Sequence, residues 1–324
     1  MSTRDHGGNL DDARATHGAG DWIDLSTGIN RRPYPVPPLP ASVWTALPTA
    51  RAQQDLIAAA ARAYGAAPAT ILPLAGAQAA IQLYPRLRPA EQAAVLSPTY
   101  NEHAAALRGA GWRVRTAETL GALAGADLAV VVNPNNPDGQ SFEPGALAAL
   151  ATQVGLLVVD ESFADPVPER SLAGRVGDRV LVLRSFGKFY GLAGVRLGFA
   201  LAGAGLRARL HDMAGPWAVS GPAQFIGTLA LRDDGWARDT RRRLAADAAR
   251  LDALARRAGW RLVGGTELFR TYATPDAAQA QDRLARRHIW SRVFPYSATW
   301  IRLGLPDGAE WDRVEAALGG LSDG

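Results

Sequence analysis

The 324-residue sequence contains no cysteine, which excludes a disulfide framework, a thiolate zinc site and a cysteine nucleophile. It has no run of about 18 apolar residues, and its opening, MSTRDHGGNLDDARATHG, has no apolar segment; neither a membrane helix nor a secretory signal is expected. The expected location is therefore cytoplasmic. A block of one charge sign is missing too. The net charge is only +4, and the densest basic cluster, Arg241, Arg242 and Arg243, falls in a helical pattern and reads as a solvated helix face. No nucleic-acid partner is expected. Lysine is nearly absent: Lys188 is the single lysine among 35 lysines and arginines.

What is present has a globular pattern. The first 45 or so residues, with RRPYPVPPLP at 31–40, are too rich in proline for helix or central strand and read as an irregular arm. Beyond them, short apolar runs (TILPLAG, AAVLSPTY, DLAVVVNP, LLVVDESF, RVLVLRSF, RLGFALAG) alternate with alanine-rich helical segments. Strands apolar on both faces belong in a mainly parallel α/β sheet flanked by helices. After about residue 205 a long helical stretch, two strand signals and a final helix predict a smaller α+β domain. The expected division is 1–45, 46–205 and 206–324. Ligands of such sheets bind beyond the carboxyl ends of the strands. Polar residues sit at five such ends: Gly76, Ala77 and Gln78; Tyr100; NPNNPDG at 133–139; Asp160; and Ser185 to Lys188.

Arginine can replace lysine as a charge but not as an amine nucleophile, because its guanidinium stays protonated. A chain that uses arginine almost everywhere and keeps one lysine at a strand end points to amine chemistry there. Three patterns compete for SFGKFYGLAGVRLG. Ser185 and Lys188 match the S-x-x-K of acyl-serine enzymes, but there is no second lysine for K-T-G and no S-D-N. The glycines do not form G-x-G-x-x-G opening a helix after a first strand. A pyridoxal phosphate (PLP) lysine segment accounts for the most residues.

That segment closely resembles S-x-[SG]-K-x-x-G-L-A-G-x-R-x-G of the fold-type I PLP enzymes, the aminotransferase superfamily, and the other strand-end signals follow in the same order. The resemblance implies that Lys188 carries the cofactor, Asp160 pairs with the pyridine nitrogen, Asn136 bonds the ring 3-oxygen and Tyr100 stacks on the ring. Gly76, Ala77 and Gln78 at a helix start, with Ser185 and Arg196, would hold the phosphate. Two departures stand out. Phe163 replaces a tyrosine that donates to the ring oxygen in many relatives, and Gly187 replaces a second phosphate-binding serine.

Arg302 in WIRLGLP occupies the place of the superfamily's substrate-anion arginine, and Arg292 in IWSRVF is a second candidate. The arm, HGGNLDDA with WIDLSTGINRRPYPVPPLP, resembles the opening of the decarboxylases that act on L-threonine O-3-phosphate in cobalamin biosynthesis. By that resemblance His6, Gly7, Gly8, Gly28 and Asn30 help bind the substrate. The expectation is decarboxylation of a phosphorylated amino acid by a homodimer. A histidinol-phosphate-type aminotransferase is the alternative within the superfamily, and a non-catalytic regulator the alternative outside catalysis. Leu47-Pro48-Thr49 lacks a tyrosine that some relatives place near there across a subunit interface.

Overall fold

The apolar runs form a seven-stranded sheet in the computed structural model of the chain, which describes residues 6–319. Its order is Ile71–Leu74, Gly198–Leu201, Val180–Ser185, Leu157–Asp160, Leu128–Val132, Gln92–Leu96 and Arg113–Ala117. Gly198–Leu201 runs antiparallel to both neighbours; the remaining pairings are parallel. Leu128–Val132 and Leu157–Asp160 are buried along their whole length, as central strands covered on both faces must be. Arg113–Ala117 ends the sheet, and exposed Arg113 and Arg115 mark it as an edge protected by charge.

The chain divides into two compact units. The larger comprises Tyr34–Asn136 and Ser141–Ala237 and contains the sheet. The helix Ala50–Tyr64 starts where Thr49 Oγ1 accepts from the Ala52 amide and stops at left-handed Gly65; it packs against the helix Gly221–Arg232. The structure thus groups residues 206–237 with the sheet, whereas the sequence pattern predicts a boundary at 205/206. The change of pattern at 205 marks the end of strands, not the end of a core.

The other unit comprises residues 6–33, 137–140 and 238–319. Its sheet has the antiparallel order Arg292–Phe294, Ser297–Gly304, Phe269–Ala273, Arg261–Thr266. The predicted arm divides here. Its first part belongs to the C-terminal unit because Ile23–Asp24 pairs with Ile289–Trp290, Ile23 and Leu25 are fully buried, and Arg31 Nε donates to Glu310 at 2.7 Å. From Tyr34 the chain joins the larger unit, where the Tyr34 amide donates to the Tyr190 carbonyl and its ring packs on Trp236.

A charge cluster lies within the larger unit's core. Arg184, 2% exposed, donates to Glu161 at 3.0 Å and to Asp165 at 2.7 Å, and its guanidinium lies 4.4 Å from the centre of the Tyr64 ring. Glu161 also accepts from Ser171 Oγ and the Leu172 amide. The cluster therefore ties the loop after Leu157–Asp160 to the strand Val180–Ser185.

Candidate active site

The parallel register aligns the carboxyl ends of the central strands: Val132 is paired with Asp160, and Asp160 with Leu183. The side chains just beyond these ends line one cavity of about 170 Å³ within the larger unit. Ala77, Gln78, Tyr100, Asn136, Asp160, Ser185, Lys188 and Arg196 all line it, so eight residues named from the sequence converge.

Lys188 sits on a single helical turn, Phe186–Phe189, directly after the strand Val180–Ser185. Phe186 and Phe189 are fully buried. Tyr190 stacks on Phe186 at 4.5 Å and on Trp236 at 5.4 Å, which anchors the turn by its apolar side chains while Lys188 lines the cavity. The Lys188 Nζ lies 5.7 Å from the Phe163 ring centre.

Asp160 ends its strand nearly buried. His103 Nε2 lies 2.9 Å from Oδ2, and Oδ1 accepts from the Ser162 amide at 2.9 Å and Ser162 Oγ at 2.5 Å. Burial alone would raise the carboxyl's pKa, but the hydrogen bond and electrostatic attraction of His103, with the hydrogen bonds from Ser162, outweigh it and hold the pKa below its ordinary value. Asp160 is thus an anion suited to a cationic partner in the cavity.

Gly76 does not itself line the cavity; there the backbone turns, φ +82°, into the helix Ala77–Leu83, whose first residues Ala77 and Gln78 do line it and whose first amides have no intrahelical acceptor. A Cβ at Gly76 would lie 2.6 Å from Arg196 Nη2, so glycine is what lets the guanidinium approach this turn. Gly198 abuts it from the neighbouring strand: a Cβ there would lie 2.3 Å from the Ala77 nitrogen. Gly187 is explained locally, because a Cβ would lie 2.7 Å from the Ala193 α-carbon; a serine does not fit this backbone. Asn136 extends from a braced loop, in which Asn133 exchanges two hydrogen bonds with Phe142 and Asn135 bonds Thr99 and the Pro98 carbonyl. The Gln78 side chain reaches Glu102 at 3.1 Å, with Tyr100 Oη 3.5 Å from its oxygen.

An ionised carboxylate, an amine, and a guanidinium beside the first amides of a helix form a donor set suited to a phosphorylated aromatic cation with a carbonyl group. PLP fits these residues.

The remaining candidates lie in the other unit. Arg302, 6% exposed, donates through Nη2 to the Ser26 carbonyl at 2.6 Å and faces the rings of Phe269 and Phe294. Arg292 is its direct cross-strand partner. Burial, with repulsion from Arg292, lowers the Arg302 pKa to about 10. Like charges placed opposite each other are unfavourable unless an anion joins them. Gly8 donates to Ser26 Oγ at 2.7 Å, and a Cβ at Gly7 would lie 2.3 Å from the Ser26 carbonyl oxygen. The two glycines are therefore packed on the residue that receives Arg302. Gly28 is buried, and His6 is exposed. Asn30 accepts from Arg243 Nη2 at 2.8 Å and from the Arg32 amide.

That last contact with Arg243 corrects the solvated-face expectation for this residue, which also pairs with Asp247. The hydrophilic pattern of the helix concealed a partner more than 200 residues away in the sequence. No sequence motif marks His103, Ser162 or Ser26, nor Asp24, whose Oδ1 accepts from Ser26 Oγ at 2.6 Å.

A family model for aminotransferases of class I and II matches residues 41–318. The chain is 47% identical to a threonine-phosphate decarboxylase from Pseudomonas aeruginosa, with 98% of each chain covered, and 43% identical to one from Sinorhizobium, with 97% of each covered. The crystal structure of histidinol-phosphate aminotransferase from Sinorhizobium meliloti in complex with pyridoxal-5'-phosphate superposes with a TM-score of 0.84 at 23% identity, covering 99% of this chain and 95% of the other; that likeness concerns the fold. The chain belongs to the class I and II aminotransferase family and, within it, to the threonine-phosphate decarboxylases.

Proposed function

We propose that this protein is a PLP-dependent decarboxylase that converts L-threonine O-3-phosphate to carbon dioxide and (R)-1-aminopropan-2-ol phosphate, a step of cobalamin biosynthesis. The observation that carries this reading is near-full-length identity of 47% and 43% to threonine-phosphate decarboxylases in a chain whose strand-end cavity is lined by residues suited to the cofactor.

When bound, PLP supplies an electron sink for the pair left at the substrate Cα. Asp160 would pair with the pyridine nitrogen and favour its protonated form, and Asn136 would donate to the ring 3-oxygen. Tyr100 would cover a ring face. The Ala77 and Gln78 amides, Ser185 and Arg196 would hold the cofactor phosphate. Lys188 would hold the cofactor through Nζ, and as the one side-chain amine lining the cavity it would be the group placed to return a proton to the substrate Cα. Phe163 brings no hydroxyl to the cavity, which leaves Asn136 as the donor at the ring oxygen.

Arg302, Arg292 and the Gly7–Gly8 segment carry the substrate's anionic groups. A guanidinium suits carboxylate and phosphate alike, so the choice between them decides the chemistry. Holding the phosphate would leave the carboxylate without a guanidinium partner and so free to leave as carbon dioxide, its bonding electrons passing to Cα. We also propose a cytoplasmic homodimer. Trp44, Leu47 and Trp217, exposed at 67%, 65% and 59%, support a protein contact on the larger unit, and no described helix is long and apolar enough to cross a membrane.

The test incubates PLP-loaded protein with carboxyl-labelled L-threonine O-3-phosphate and no amino acceptor. Labelled carbon dioxide is expected with the amine retained in the product. Amino transfer from histidinol phosphate to 2-oxoglutarate, without carbon dioxide from threonine phosphate, would overturn the proposal. The cradle has its own test. Gly198→Ala forces a methyl against the Ala77 nitrogen and displaces the phosphate-binding turn, and overpacking of this kind costs about 1–3 kcal/mol. PLP affinity measured by equilibrium titration is expected to fall by about ten- to a hundredfold. Unchanged affinity would remove that turn from the phosphate site.

A further inference from the structure

We propose that Tyr84 is a positioning residue that holds His103 as a neutral imidazole with its proton on Nε2, so that Asp160 keeps its full negative charge for the cavity. The observation is a chain of three buried groups, two of which lie outside the cavity lining. Tyr84 Oη lies 3.1 Å from His103 Nδ1, and His103 Nε2 lies 2.9 Å from Asp160 Oδ2. Tyr84 and His103 are both 0% exposed.

Counting donors and acceptors fixes the protons. An ionised carboxylate only accepts, so Nε2 must carry hydrogen. Burial, and then the charge of Asp160, push the Tyr84 hydroxyl well above its ordinary pKa, so it keeps its proton. Among the described residues that proton has one acceptor within reach, His103 Nδ1. A proton on Nδ1 would make the imidazole a cation and turn the Tyr84 oxygen into an acceptor, leaving its own hydrogen buried without a partner. The neutral Nε2–H form satisfies every group in the chain. An imidazolium would instead neutralise Asp160 from behind and weaken its hold on a pyridinium.

Tyr84 therefore acts two hydrogen bonds away from the carboxylate. Its removal as Tyr84→Phe keeps the ring that fills the core between the helices Ala77–Leu83 and Asn101–Gly109, but takes away the hydrogen bond that stabilises the neutral imidazole. The proposal concerns the chain's own protons, and it rests on the PLP reading only for the consequence at the pyridine nitrogen.

The experiment is long-range proton–nitrogen correlation NMR of the histidine side chains at pH 7.5, with and without PLP, with His103→Gln to assign the signal. In the natural protein His103 is expected to show one protonated nitrogen, Nε2, and one bare acceptor, Nδ1, in both states. Tyr84→Phe is expected to move His103 toward the doubly protonated signature and to speed PLP dissociation by roughly tenfold, the scale lost with outer-shell partners of a charged site. A doubly protonated or Nδ1–H His103 in the natural protein overturns the proposal without recourse to any variant. So does a Tyr84→Phe protein whose His103 signature and PLP dissociation are both unchanged. A protein that keeps the neutral signature but takes up no PLP sustains the proton assignment and removes the cofactor reading instead.

Discussion

Lys188→Arg is expected to give a folded protein with no visible cofactor band and turnover lowered by at least about a thousandfold, the scale lost when a covalent catalytic group is removed. Arginine keeps the positive charge and most of the length of the side chain, so the substitution separates charge from amine chemistry. If Lys188 served only as a cation beside Phe163 and Asp160, arginine would restore most of the activity. The structure gives no support to that simpler role, because Arg196 already supplies a cation to the same cavity and the chain has arginine available everywhere else. The measurement is absorbance of PLP-loaded protein before and after borohydride. In the natural protein reduction is expected to fix the cofactor's mass on the peptide containing Lys188, and in the variant no mass is fixed. Circular dichroism and the thermal midpoint check folding. A variant that retains the band and its borohydride response would show that the covalent link is made elsewhere, and with one lysine in the sequence no other side-chain amine exists to make it.

The legibility of this site follows from where its residues lie. Lys188, Asp160, Asn136 and Tyr100 sit just beyond the ends of strands whose apolar runs are evident in the sequence, and a mainly parallel sheet leaves few places for such ends to go. Gly76 and Arg196 were legible as members of a pattern, although the close approach that requires a glycine at 76 appears only in the folded chain. His103 was not legible. A histidine within an apolar helix face is indistinguishable in sequence from an ordinary core histidine, and its partner Asp160 is 57 residues away. The arm illustrates a different limit. Proline content correctly predicted little regular structure between 31 and 40, but the rest of the arm expected to be irregular contains the helix Leu10–His17, the strand Ile23–Asp24 and the short helix Ser42–Thr45. The switch of allegiance at Pro33 and Tyr34 depends on pairing with Ile289–Trp290 and on the ion pair between Arg31 and Glu310, both contributed by residues more than 250 positions later. Arg184 was hidden for the reverse reason. Within RVLVLRSF it reads as the polar end of a strand, whereas it is the most deeply committed cation in the larger unit.

Arg184→Met is accordingly expected to destabilise the protein by about 3–5 kcal/mol, because it leaves Glu161 and Asp165 buried without their shared cation. The chemical-denaturation midpoint, with its slope, measures the loss. Two contributions have to be separated: the empty volume left by the guanidinium and the uncompensated carboxylates. Methionine fills much of the volume, and adding Glu161→Gln with Asp165→Asn removes the charges. If the charges dominate, the triple variant recovers most of the stability; if it remains as unstable as Arg184→Met alone, packing dominates and the electrostatic account fails. The pH dependence gives an independent check. Burial raises Glu161 above its ordinary pKa of about 4.5 more strongly than Arg184, Ser171 and the Leu172 amide lower it. Folded Glu161 thus holds its proton to higher pH than the unfolded chain does, and its contribution to stability falls as pH rises through that interval. Removing Arg184 removes one of the groups that lower the folded value, so the interval widens upward. The deficit of Arg184→Met is therefore expected to be smallest at about pH 4.5, where the carboxyl is largely protonated, and to grow toward pH 8. A deficit that is constant across this range would place the cost in lost packing against Tyr64, whose ring the guanidinium covers at 4.4 Å, and not in the carboxylates.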